Sequence, residues 1–135
     1  MNPASVMAEL ADKLDGVTGL RVYPFPPDVA PPPCAIVGYP NSITFDVSGA
    51  RGTDRMQVPV FVLVDRNWDR ATTGKLSDYM AGAGASSIKQ LVQTRPHTAF
   101  STARVASITL GVIVVAAVEL WAATFLVDIT GPGGA

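Results

Sequence analysis

The chain has 135 residues, 48% of them hydrophobic and 16% charged, with ten Lys and Arg set against eleven Asp and Glu. That length suits one domain able to bury roughly two thirds of its unfolded surface without a staple, and the composition argues against intrinsic disorder. The near-neutral balance argues against general nucleic-acid affinity, a single cysteine, Cys34, rules out an internal disulfide, and a single histidine, His97, rules out a His/Cys zinc cluster within one chain.

Taken in chain order, the elements predict an α+β fold: a mixed, mainly antiparallel sheet flanked by two or three helices. Residues 1–10 lack a basic region and carry Glu9, with Asp12 following, where the apolar core of a signal peptide would continue, so no secretion signal is expected. Asn2 followed by Pro3 reads as an N-cap and first helical residue, because proline there loses only an amide that had no partner. Val6, Met7, Leu10 and Leu14 form an apolar stripe at helical spacing, and Gly16 and Gly19 end a helix over 3–15. Residues 20–23 read as a short strand. Residues 24–33 hold six prolines, which no helix or central strand tolerates, so this stretch is expected to be a stiff surface connector. Its alternative reading is a pre-ordered ligand for an aromatic groove.

Residues 34–37 are apolar and β-prone, with Cys34 read as a small buried hydrophobe. After a turn at 38–41, residues 43–47 alternate apolar and polar, and so do residues 56–64, where Met56, Val58, Val60, Val62 and Val64 share a face. The two runs fit an antiparallel pair joined across 48–54. Pro59 has no amide to donate, which predicts an edge strand or a bulge there. Asp69 is placed to cap a helix running to about residue 81, and Ser87 with Gln90 forms a capping box for a short helix that Pro96 stops. Residues 104–110 and 112–128 complete the sheet, with the turn between them left open. The domain is expected to span 1–130, followed by a flexible Gly/Pro tail at 131–135.

Residues 105–127 carry one charge, Glu119, and are long enough to span a bilayer as a helix. The β-branched content favours core strands instead, as does the alternation that puts Trp121, Ala123, Phe125, Val127 and Ile129 on one face.

Chemistry is thinly represented. His97 follows Pro96 in a polar stretch and reads as structural or solvated. Asp65 and Asp69 are four apart, but capping and turn roles explain them without a metal. Gly49 and Gly52 beside Arg51 and Arg55 match no phosphate-loop pattern, and the Gly-rich run at 82–87 reads as a turn into a helix. No catalytic residue, metal or cofactor is therefore expected. What remains suits protein contact: Arg51, Asp54 and Arg55 in one loop and Arg66, Trp68 and Arg70 in another, at opposite ends of the strand at 56–64. Surplus apolar surface points to cover by a partner chain.

The order of these features resembles the tail terminator proteins of long-tailed bacteriophages, particularly those infecting actinobacteria. The resemblance rests on the short N-terminal helix, Arg21-Val22-Tyr23 before the proline-rich stretch, and Pro33-Cys34-Ala35-Ile36-Val37. It continues through the strand at 58–64 closing on Asp65-Arg66, then Leu76, Asp78-Tyr79-Met80, Ser86-Ser87-Ile88 and the final strand at 121–128. It covers nearly the whole chain. The resemblance implies a non-enzymatic virion protein, assembled in the host cytoplasm, that forms a homohexameric ring at the head-proximal end of the tail. Its implied partners are other copies of itself, the tail tube protein and a head-completion or neck protein, with DNA only passing through the lumen and no membrane. The alternatives are a neck or head-closure protein and, more remotely, a small-molecule enzyme.

Overall fold

A computed structural model describes residues 2–17, 20–26, 33–45, 52–64, 70–84, 86–94, 97–115 and 117–132. In chain order these form α1 (Pro3–Leu14), β1 (Arg21–Tyr23), β2 (Cys34–Val37), β3 (Ser42–Thr44), β4 (Thr53–Val64), α2 (Arg70–Met80), α3 (Ile88–Gln93), β5 (Thr102–Val115) and β6 (Val118–Pro132). The fold is the α+β arrangement expected, a mixed and mostly antiparallel sheet with three helices.

Local signals account for the helix ends. The Asn2 side chain accepts from the amides of Ala4 and Ser5 at 2.9 and 3.3 Å, satisfying donors that the first turn leaves open. The Ser87 hydroxyl oxygen accepts from the Gln90 amide at 3.2 Å and donates to the Ala81 carbonyl at 2.5 Å. Gln90 does not close the expected box back onto Ser87; its Oε1 accepts from the Gly84 amide at 2.8 Å, so it braces the preceding turn instead.

The sheet runs β1-β2-β4-β6-β5, with β3 beside β4 on the same side as β2. Among the described residues only the β1–β2 pair is parallel. β4 is thus a central strand, not the edge strand that was one of the two outcomes Pro59 predicted. The sheet accommodates the proline because its neighbour changes there: β2 pairs with β4 as far as Val37↔Val60, and β3 takes over at Ser42↔Gln57. The Pro59 carbonyl accepts from the Gly38 amide at 2.8 Å, so the missing amide, which lies on the same side of the strand, faces the gap between β2 and β3.

β5 and β6 make a long antiparallel hairpin, joined at 116 and 117, with a bulge between Val105 and Ser107. The membrane-length apolar run is therefore two strands, and among the described residues no helix is long and apolar enough to cross a membrane. β6 continues to Pro132, where Asp54 and Thr53 pair with Gly131 and Pro132, so the ladder extends two residues into the stretch read as a tail.

Alternation sorts the two faces. Val58, Val60, Val62, Phe125, Val127 and Ile129 pack with Val6, Leu10 and Leu14 of α1 and with Ile88 and Val92 of α3 in one core. The opposite face holds a smaller cluster of Cys34, Ile36, Leu63, Leu120 and Ala122, joined by Tyr23, Phe61 and Ile113. Helix α1 is tied to the chain beyond α3 by polar contacts: Glu9 accepts from the Thr98 amide, the Thr98 hydroxyl and the Ala99 amide at 2.7, 2.5 and 3.2 Å. Lys13 Nζ donates to the Thr94 carbonyl at 2.7 Å, at the C-terminal end of α3 where a cation is favoured.

Candidate interaction surface

The reactive side chains are placed for packing. Cys34 lies fully buried in β2, opposite Leu63, and burial pushes its thiol up to about 11, partly offset by the charge of Arg21. At neutral pH it holds its proton and is a poor nucleophile. The His97 ring stacks at a tilt on Phe100, with centroids 4.7 Å apart. Ser87 and the turn before it are engaged in capping α3. Among the described residues no three His, Cys, Asp or Glu side chains cluster as metal ligands would. Asp65, Asp69 and Gly49 lie outside the described residues.

The two expected contact loops fare differently. Arg51, Arg66 and Trp68 lie outside the described residues; Arg70 is the first residue of α2. Asp54 and Arg55 belong to β4 and not to a loop, because the strand begins at Thr53 to match the full length of β6. Strand alternation then turns their side chains to opposite faces. Asp54 is buried, whereas Arg55 is exposed on the face away from the helices.

Arg55 belongs to a cross-strand charge cluster. Its Nη2 donates to Asp128 Oδ2 at 3.0 Å, and Arg104 Nη2 lies 3.9 Å from the same oxygen. Register explains the grouping, since Arg104 is directly opposite Asp128 and Arg55 is its diagonal neighbour across β4 and β6. Two guanidinium groups against one carboxylate leave this end of the face positive, and both arginines are largely exposed while Asp128 is not. The other end of the same face is the apolar cluster around Leu63 and Leu120.

Two exposed apolar groups escaped sequence reasoning. Leu110, Val112 and Val114 on β5 are exposed, as are Tyr39, Ile43 and Phe45 around β3. Periodicity shows that β5 has two faces but not which of them the helices cover. The signal that was available is charge: neither 107–118 nor 38–45 contains a charged residue.

A shallow groove of about 230 Å³ between α1 and β1 is lined by Ala8, Ala11, Asp12, Asp15, Val22 and Pro24. It presents two carboxylates on an apolar floor.

No protein-family model and no curated protein matches this sequence.

Proposed function

We propose that this chain is a structural virion protein: a tail terminator that forms a homohexameric ring on the head-proximal end of a bacteriophage tail tube, stops tube polymerisation and offers the surface for head-tail joining. The observation that carries the reading is the order of elements. The capped helix α1, the short strands β1, β2 and β3, the long strand β4, two helices and the closing hairpin of β5 and β6 follow one another in the chain, and it is this order that we liken to the tail terminators.

The mechanism in this reading is physical. One ring face matches the last ring of the tube, and the opposite face does not accept another, so growth ends where the protein binds. Sixfold repetition turns weak contacts into a firm attachment. The nearly balanced charge of the chain suits a lumen through which DNA moves without being held. Arg51, Arg55, Arg66, Trp68 and Arg70 serve assembly contacts. Asp54, assigned to the same contacts from the sequence, is buried in the sheet beside Arg55.

Light scattering tests the ring, which six copies of the 14.1 kDa chain put at about 85 kDa. Adding the protein to polymerising tail tube subunits tests the function. Tubes that stop growing once the protein is present are the expected result. Tubes that lengthen unchecked overturn the terminator reading, and binding to the portal side in the same preparation favours a head-closure role. Arg55→Ala, Arg66→Ala and Trp68→Ala are expected to weaken ring formation or capping while leaving the fold intact. If all three assemble and cap normally, these residues are not the contacts.

A further inference from the structure

Among the described residues, two stretches at the sides of the sheet, one on β5 and one on β3, are unpaired along one edge, apolar and uncharged. At one margin is β5, the outermost strand, paired only with β6 among the described residues. Up to the bulge its edge is occupied, since the Val105 amide donates to Gln93 Oε1 of α3 at 3.1 Å. Beyond the bulge, residues 107–115 carry no charge and no proline. Leu110, Val112 and Val114 stand 44%, 47% and 65% exposed there. A long edge of this kind is a template for another strand unless something blocks it, and natural proteins block such edges with lysine, proline or a cover. Residues 107–115 have none of these within their own sequence.

At the opposite margin β1 is the outermost strand beside β2, and next to β2 on the same side of β4 lies β3, paired only with β4 among the described residues. Around it Tyr39, Ile43 and Phe45 are 67%, 37% and 69% exposed, again within an uncharged run. The two groups lie on the same side of the sheet. Ile43 is opposite Met56, a residue of the helix-side core, while Leu110 and Val112 are opposite Ala123 and Trp121, which face that core as well. Strand direction also agrees. β3 runs antiparallel to β4, whereas β5 runs parallel to it through β6, so a sheet continued from β5 of one copy into β3 of the next joins them antiparallel.

We infer that the β5 edge of one protomer docks against the β3 edge of a second copy of the same chain, head to tail. The occupant must offer an unpaired strand edge and apolar side chains without charge, and this chain carries that partner surface at its opposite margin. A twofold pairing of β5 with β5 would leave Tyr39, Ile43 and Phe45 in water; the head-to-tail arrangement covers both groups at every interface and closes into a ring or extends into a filament. The joined edges lie at different heights along the strands, since Ile43 is level with Met56 and Val112 is level, through Trp121, with Val64. Closure therefore staggers and tilts the strands, as it does in barrels. The inference names surfaces other than the arginine loops and does not depend on a role in a virion.

Two charge insertions at exposed positions, Val114→Lys on β5 and Phe45→Lys beside β3, test it by light scattering, with circular dichroism confirming that each variant is folded. The wild-type chain is expected to exceed the mass of a dimer, and each variant alone to fall to the monomer mass of 14.1 kDa. Mixed together, the two variants retain one intact pair of edges and should form a dimer of about 28 kDa, twice the chain mass. A Phe45→Lys chain that assembles like wild type overturns the inference in favour of β5 twofold pairing. A wild-type chain that stays monomeric up to its solubility limit overturns it outright. Oligomers that fail to stop tube growth count against the terminator reading alone, and a monomer that caps tubes counts against this inference alone.

Discussion

A side chain at Gly38 would have nowhere to go. A Cβ there would lie 2.9 Å from both Phe61 Cε2 and Pro59 Cγ, and 3.2 Å from the Pro59 carbonyl oxygen. The close approach follows from the Gly38 amide bond to Pro59, which anchors the switch of β4 from β2 to β3. Gly38→Ala is expected to lower stability by about 1–3 kcal/mol in urea unfolding, because two ring atoms and a backbone oxygen must move. Cys34 supplies a second prediction at this scale. Its folded thiol ionises near 11, above the ordinary value of 9.0, chiefly through burial. Between those values the unfolded chain releases a proton that the native one keeps. The stabilisation is complete below pH 9.0 and is lost as pH rises toward 11. Stability measured across that window should fall for the wild type and fall less for Cys34→Ala. Thiol labelling of the native protein at neutral pH should be slow and should track unfolding.

Among the elements, α1 is fixed by more than its apolar stripe. Burial pushes the Glu9 carboxyl up, but the Thr98 side-chain hydrogen bond, the amides of Thr98 and Ala99 and the charge of Lys13 outweigh it and hold the group below its ordinary value of 4.5. A depressed carboxylate contributes stability above the unfolded value and loses it as pH falls through the folded one. Glu9→Gln is expected to cost about 1–2 kcal/mol at neutral pH, and the gap from wild type should close below pH 4.5. At α3, Ser87→Ala removes both the cap on Gln90 and the bond to Ala81 and should cost about 1 kcal/mol. In a chain six helical residues long, that is enough to fray α3 and uncover Val105. Hydrogen exchange would show it as faster exchange of amides 88–93 and of the Val105 amide, with the rest of the sheet unaffected.

Across the whole molecule, one core joins α1, α3, β4 and β6, and Phe125 at its centre is fully buried. Phe125→Ala is expected to cost about 3–5 kcal/mol. Tryptophan fluorescence and circular dichroism should report coincident unfolding transitions, since no second core of comparable size exists among the described residues to melt separately. The helix-free face is divided along its length, with the Arg55, Asp128 and Arg104 cluster at one end and the Cys34, Leu63 and Leu120 cluster at the other. With both arginines in solvent and only Asp128 largely covered, such pairs contribute roughly 1 kcal/mol or less each, so the charge cluster matters more for what it presents than for stability.

Much of this was legible in the sequence because it depends on neighbours a few residues apart. The Asn2 and Ser87 caps, the stripe of α1 and the inward set from Trp121 to Ile129 are short-range chemistry, and each stands where its residue types place it. Pairing partners are not short-range. Pro59 argued for an edge strand or a bulge, yet it lies in a central strand because the β2 to β3 switch leaves its missing amide without a carbonyl to meet. Asp54 and Arg55 read as loop residues until β6 proved long enough to hold them in a ladder. The strand character of β5 was visible, but its exposure depends on where α3 stops covering the edge, at Val105. By itself, then, the sequence determined the elements, their caps and the inward face of the closing strand, since those follow from local sterics and periodicity. Only the tertiary structure decided which strands neighbour one another and which apolar edges stay open, because hydrogen-bond partners and cover come from segments far apart in the chain.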